Sequence, residues 1–232
     1  MGFPQPPWRS QGLCFSIFYL VPTAKVRPLV PGPFEISEVL PGMTLGGLFA
    51  AKYSGGDLGE MSEFGVLPAY VRYKDKKGFF MRESSVDNED AAEGCRKIWG
   101  MDKQMSGFNW DLSGSRISLD VTSGGKPLIG VSIRPVVKEL PFSACFPFLC
   151  LKGKNVVFFK HQFASKIGLC MSSVTIPDGS PLHGLPFRLK ILSAYWEASN
   201  IVLQEPEYVT ENMVQRAEKA FGSPVGRHPH KP

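Results

Sequence analysis

The sequence has little of what marks the commoner enzyme chemistries. Only four histidines occur in 232 residues, His161, His183, His228 and His230, with no H-x-x-x-H pair and no Cys/His cluster. No built-in zinc or other metal site is therefore expected. There is no G-x-S-x-G elbow, no Walker loop and no G-x-G-x-x-G, so the usual signatures of α/β-hydrolases, P-loop NTPases and dinucleotide enzymes are absent. Runs of one charge are also missing. The net charge is +5, but Lys and Arg are scattered, and the one tight group, Lys74, Lys76 and Lys77 in YKDKKG, reads as a solvated turn. A nucleic-acid partner would need a longer basic surface. The longest apolar stretch, Leu140 to Leu151, contains Pro141 and Pro147 and is too short to span a bilayer. The segment MGFPQPPWRSQG has no basic stretch followed by an apolar run, so it does not read as a signal peptide. Cysteine is sparse: Cys14, Cys95, Cys145, Cys150 and Cys170 form no C-x-x-C pair, and Asn-x-Ser/Thr sequons are absent. An odd number of thiols among apolar neighbours suits reduced, mostly buried cysteines in a cytoplasmic protein.

What is present is ordinary globular composition, 43% hydrophobic and 20% charged, with 24 Gly and 20 Pro spread along the chain. Scattered Gly and Pro suit many short strands joined by turns. Strands are expected at Leu13–Leu20, Met43–Tyr53, Phe64–Lys74, Gly78–Ser84, Arg116–Val121, Leu128–Val137, Asn155–Phe163, Leu169–Ile176, Phe187–Trp196 and Ile201–Gln204. Asp75 to Lys77 turns the hairpin between the third and fourth of these.

Asp87 or Asn88 can cap a helix that carries Glu89 and Asp90 in its first turn, Arg96 and Lys97 near its end, and Gly100 as a left-handed stop. An amphipathic helix is expected over about 210–221. Residues 1–222 then read as a single domain and 223–232 as a disordered tail. The fold class is α+β and β-rich, a mostly antiparallel closed β-barrel with a few flanking helices.

The stretch LGEMSEFGVLPAYVRYKDKKGFFMRESSVDNEDAAEGCRKIWGMDKQ, Leu58 to Gln104, resembles the acetoacetate decarboxylase superfamily. That family carries a T-E-S-G-like turn, a strand hairpin, a D-[ND] helix start and then G-R-E-x-x-x-x-P-K. VPGPFEI (Val30 to Ile36) is similar to the family's V-P-x-P-L-E-[IV], and GGKPLIGVSIRP (Gly124 to Pro135) to its Y-G-x-x-[RV]-V-A-T-A strand pair. PPW near the N-terminus and TLGGLFAAKY are similar to decarboxylase-like relatives, including plant members tied to carotenoid metabolism.

By position, the resemblance implies that Lys103, seven residues after Arg96, is a Schiff-base lysine and that Glu63, in SEFG, is an active-site glutamate. It also implies a homo-oligomer and no cofactor. Three departures stand out. The proline before the lysine is Asp102, the second lysine of a K-K pair is Gln104, and the arginine that serves a substrate carboxylate falls on Gly12.

A lysine must be neutral to attack a ketone, yet an ordinary lysine at pH 7 is neutral only about once in a thousand. Burial or a nearby cation lowers its pKa. Trp99, Met101, Met105 and Phe108 offer Lys103 an apolar setting; Asp102 is a competing partner for its ammonium, and Gln104 removes an adjacent charge. Glu63 could orient substrate or move protons. Glu83 shares a strand face with Phe79, Met81 and Ser85 and is a second acid, or else a rim charge. Arg96 either binds an anionic substrate or caps its helix.

His161 reads as a strand-edge residue, and Cys95 as a buried thiol at the unreactive end of a helix. Three functions remain open. The first is a Schiff-base lyase acting on a keto acid or other carbonyl compound. The second is a non-covalent cyclase or isomerase of an apolar polyketide or isoprenoid in secondary metabolism. The third is a ligand-binding protein with a degenerate site.

Overall fold

The computed structural model describes residues 2–137 and 140–209. The chain opens with strand β1 (Trp8–Pro22), a short helix α1 (Thr23–Val26), a 3-10 turn at Arg27–Leu29, strand β2 (Glu35–Ile36) and strand β3 (Met43–Gly56). Pro68 interrupts the expected first strand of the Phe64–Ser84 hairpin, giving β4 (Met61–Leu67) and β5 (Ala69–Tyr73). The second strand of that hairpin is also two, β6 (Lys76–Phe80) and β7 (Glu83–Val86). β5 and β6 form the true hairpin, with Lys74 at φ 55° in its turn; β7 turns away to pair with β4 instead.

Helix α2 (Glu89–Trp99) follows the expected plan. The Asn88 side chain accepts from the Ala91 backbone N–H at 2.8 Å. Gly100 closes the helix at φ 75°, a left-handed conformation that costs glycine little. Ala91, Gly94, Cys95 and Trp99 make up its buried face, and Arg96 and Lys97 lie exposed. A side chain on Gly94 would collide with the Trp8 ring, so this glycine lets the helix lie directly on β1.

Seven more strands complete the sheet: β8 (Gln104–Asp111), β9 (Ile117–Ser123), β10 (Lys126–Pro135), β11 (Leu140–Lys152), β12 (Asn155–Thr175), β13 (Leu189–Leu203) and β14 (Glu207–Val209). β8, β11 and β14 were not expected. β12 and β13 each join two expected strands into one. The helix expected over about 210–221 and the tail over 223–232 lie outside the described residues.

The fold is β-rich α+β, with one long sheet ordered β10-β9-β8-β7-β4-β3-β1-β13-β12-β11-β6-β5-β2. Pairing is antiparallel except at β6–β11 and β7–β8. The path is not a plain ring, because β11, β6, β5 and β2 continue beyond β12, while β10 pairs additionally with β12. Its apolar interior includes Phe15, Ile17, Tyr19 and Val21 of β1, Leu48 and Ala50 of β3, and Phe64 and Val66 of β4. A second cluster joins Trp8, Phe18, Trp99 and Met101 to Phe148 and Phe159 of the β11–β12 ribbon.

Candidate active site

The end of α2 places Lys103. The Met101 backbone N–H donates to the Cys95 carbonyl at 3.2 Å as the chain reverses. Extended alternation then buries Met101 and Lys103 and exposes Asp102 and Gln104. β4 places Glu63 between β3 and β7, opposite Ala51 and Val86. Both side chains are 4% exposed, and Lys103 Nζ donates to Glu63 Oε1 in a direct ion pair. Tyr53 pairs with Met61, two residues before Glu63, so both point to one face of the sheet; the Tyr53 hydroxyl donates to Glu63 Oε2 at 3.1 Å.

The pair faces a small cavity of about 30 Å³, lined also by Trp8, Ser10, Cys95, His161 and Leu203. A second cavity of about 40 Å³ shares Tyr53 and His161 as a wall and is otherwise mostly aromatic, with Phe18, Phe49, Phe146, Phe148, Phe163 and Trp196 around it.

Burial opposes the Lys103 ammonium. The adjacent Cys95 sulfur, the Glu63 carboxylate with its charge and its hydrogen bond, and the Cys150 sulfur together outweigh this and hold the lysine above its ordinary pKa. The resting state is thus an ammonium–carboxylate pair rather than a free amine. Burial pushes the Tyr53 hydroxyl well up, and the Glu63 charge adds to it, so Tyr53 stays a proton donor. Burial likewise pushes the Cys95 thiol up to about 12, which makes it inert. His161 is pushed down to about 4, chiefly by burial, and stays neutral. Its Nε2 has no hydrogen-bond partner, nor has the Trp196 Nε1.

Of the residues singled out in the sequence, Lys103 and Glu63 meet in one cavity. Trp99 and Met101 pack behind it, Trp99 against Trp8 at 4.7 Å between ring centroids, with its N–H given to the Gln204 carbonyl at 2.9 Å. The others stand apart. Glu83 pairs with neighbouring Arg82 at 3.3 Å and lines neither cavity. Arg96 lies on the outer face of α2, and Gln104 and Met105 face outward from β8. Asp102, expected to compete for the ammonium, is exposed, and Glu63 takes that role.

Sequence reading missed Tyr53 and took His161 for an edge residue. The available signal for Tyr53 was its register in the β3–β4 hairpin, fixed by the Gly-rich turn near Gly55 to Gly59. Gly12 cannot hold an arginine, because any side chain there would overlap the Lys52 carbonyl. Among the described residues no arginine lines either cavity.

The family model for acetoacetate decarboxylase matches residues 1–162. The chain belongs to the acetoacetate decarboxylase family. It is 28% identical over 112 residues to Protein NEOXANTHIN-DEFICIENT 1 of Arabidopsis thaliana, a match covering 48% of this chain and 39% of that protein. Matches to curated relatives, acetoacetate decarboxylase of Acidiphilium cryptum among them, span about half of those proteins' lengths or less.

The fold is that of a solved acetoacetate decarboxylase, at TM-score 0.72 and 18% identity over 89% of this chain and 91% of that one. A second structure of the same fold is the enduracididine biosynthesis enzyme MppR complexed with the condensation product of pyruvate and imidazole 4-carboxaldehyde. It matches at TM-score 0.65 and 16% identity, over 89% of this chain and 90% of that one. Trp196, Ile201 and Leu203, which line the cavities, lie beyond the family match. Among the described residues no helix is long and apolar enough to cross a membrane.

Proposed function

We propose that this chain is a lyase that processes a keto acid or other carbonyl compound through a Schiff base on Lys103, by decarboxylation or an aldol-type step. The observation that carries the reading is the buried Lys103–Glu63 pair on a cavity wall. Such a pair is a poor device for stability, since desolvating two charges offsets most of their attraction. It is a good device for holding a proton that must move.

A carbonyl compound entering the cavity separates the pair. The ammonium gives its proton to Glu63, and the neutral amine adds to the carbonyl carbon. Loss of water leaves an iminium. In a β-keto acid the carbon–carboxylate bond then breaks, and its electron pair flows to the iminium nitrogen as carbon dioxide departs. Loss of water has already taken the proton from Glu63, so the enamine carbon receives its proton from water, and hydrolysis frees the ketone and returns the lysine as an ammonium. Tyr53 holds Glu63 in place throughout.

The condensation product held by MppR is of a kind that an iminium step can make. The β10–β12 pairing supports reading the sheet as a barrel wrapped round this site. Exposed Val136, Leu140, Met171 and Leu189 support self-association as a homo-oligomer.

Incubation with a panel of β-keto acids and unsaturated ketones, followed by borohydride, should leave a stable mass increase on the peptide bearing Lys103. Absence of an adduct in the presence of turnover would sink the covalent reading. It would favour the second reading, a non-covalent cyclase or isomerase, which the aromatic cavity and the lack of a lining arginine support.

A further inference from the structure

We propose that the aromatic cavity is a second substrate pocket, in which His161 Nε2 and Trp196 Nε1 together hold an oxygen atom remote from the reacting carbonyl. The proposal rests on the reading of Lys103 as the reacting group and adds the substrate class: a medium-length carbonyl compound whose remote end is uncharged and carries a second oxygen several carbons away.

Four observations carry it. The two cavities adjoin, with Tyr53 and His161 lining both, and the proposal has one molecule reach across that wall. The second cavity has no charged lining residue, and Phe146 sits among Phe18, Phe163 and Trp196 at ring separations of 5.4 to 6.4 Å. That lining suits a hydrocarbon chain and excludes an anion.

Third, two of its side chains carry buried ring nitrogens without a partner, although each is more than nine-tenths buried. A buried, unpaired N–H is costly, and a ligand oxygen is what this cavity can offer it. Trp196 can only donate; His161, neutral at physiological pH, donates from one nitrogen and accepts at the other. A carbonyl or ether oxygen needs the first of these and a hydroxyl can use both. Fourth, among the described residues no arginine lines either cavity, and Gly12 has no room for a side chain.

The test uses two series of methyl ketones, from pentan-2-one to nonan-2-one, with and without a terminal hydroxyl. Binding is measured by calorimetry, and adducts by borohydride trapping. At the best chain length the hydroxylated ketone should bind about tenfold more tightly than the plain one, the effect of one satisfied buried hydrogen bond. Trp196→Phe and His161→Phe should each reduce that preference several-fold. Phe163→Leu, which alters shape and no donor, should weaken both series alike.

Equal binding of the two series at every length, or a preference untouched by Trp196→Phe and His161→Phe, overturns the proposal, as does failure of both series to bind. The oxygen preference measured in Lys103→Ala separates the two claims. Preference without adducts in the wild type removes the Schiff base and keeps the pocket, whereas adducts without preference do the reverse.

Discussion

The two cavities on either side of Tyr53 and His161 are built from the same sheet and treat matter differently. The first holds an ammonium, a carboxylate and a phenol bonded in a chain, each at a desolvation cost that only its neighbours offset. The second is lined by rings, where packing is favourable in its own right, and its polar points are the unpaired ring nitrogens of His161 and Trp196. The difference shows how a β-rich fold confines charge to one small chamber and leaves the adjoining one apolar; on the proposed reading this separates reaction from recognition.

The largest effect expected on this contrast is from Lys103→Ala. It should remove borohydride-trapped adduct and turnover altogether, with Lys103→Arg equally inactive, because a guanidinium stays protonated and cannot add to a carbonyl. Substantial residual turnover would show the charged chamber to be structural.

Glu63→Ala is next. It leaves a buried ammonium beside Tyr53 without its counter-charge, and unfolding in urea should show a loss of about 3–5 kcal/mol. The double change Lys103→Met with Glu63→Leu should recover most of that, since a neutral filling needs no counter-charge.

The shared wall titrates. His161 binds its proton at about 4 in the folded protein and near 6.5 when unfolded. Between those values the unfolded chain holds more protons, so stability falls as pH drops from 6.5 towards 4, by roughly 3 kcal/mol in full. His161→Phe should flatten the pH dependence of the urea midpoint over that window. An unchanged slope would place the imidazole in water rather than between the cavities. The smallest effect is that of Tyr53→Phe, which loses one hydrogen bond to Glu63, about 1 kcal/mol of stability, while leaving the aromatic lining of the second chamber intact.

Helix α2 and its consequences were legible because their causes are local. Asn88 and Gly100 fix its ends, and once the helix is fixed, alternation past Gly100 decides that Lys103 turns inward. β8 was hidden because only its alternate residues are even partly buried. β11 was hidden by Pro141 and Pro147, which argue against a central strand. Both are tolerated because the parallel partner β6 meets β11 only at Phe148 and Leu149. β12 was split by the polar stretch near Ser165 and Lys166, where the ladder shifts register with β13 but continues. His161 joined the site through the pairing of β12 with β13, which no local pattern reports, whereas Tyr53 is set by the register of the β3–β4 hairpin.

The register of β1 against β13 joins Trp8 to Leu203 and Ser10 to Ile201, and all four residues line the lysine cavity. The walls of that cavity therefore come from opposite ends of the described chain. On a ribosome adding about 5–20 residues per second, β1 waits roughly ten seconds or more for its partner. Until then the lysine and the glutamate are hydrated like any surface residues. The candidate site is thus among the last things that folding creates: a chain that stops before β13 makes the lysine, the glutamate and the helix between them, and no closed cavity around them.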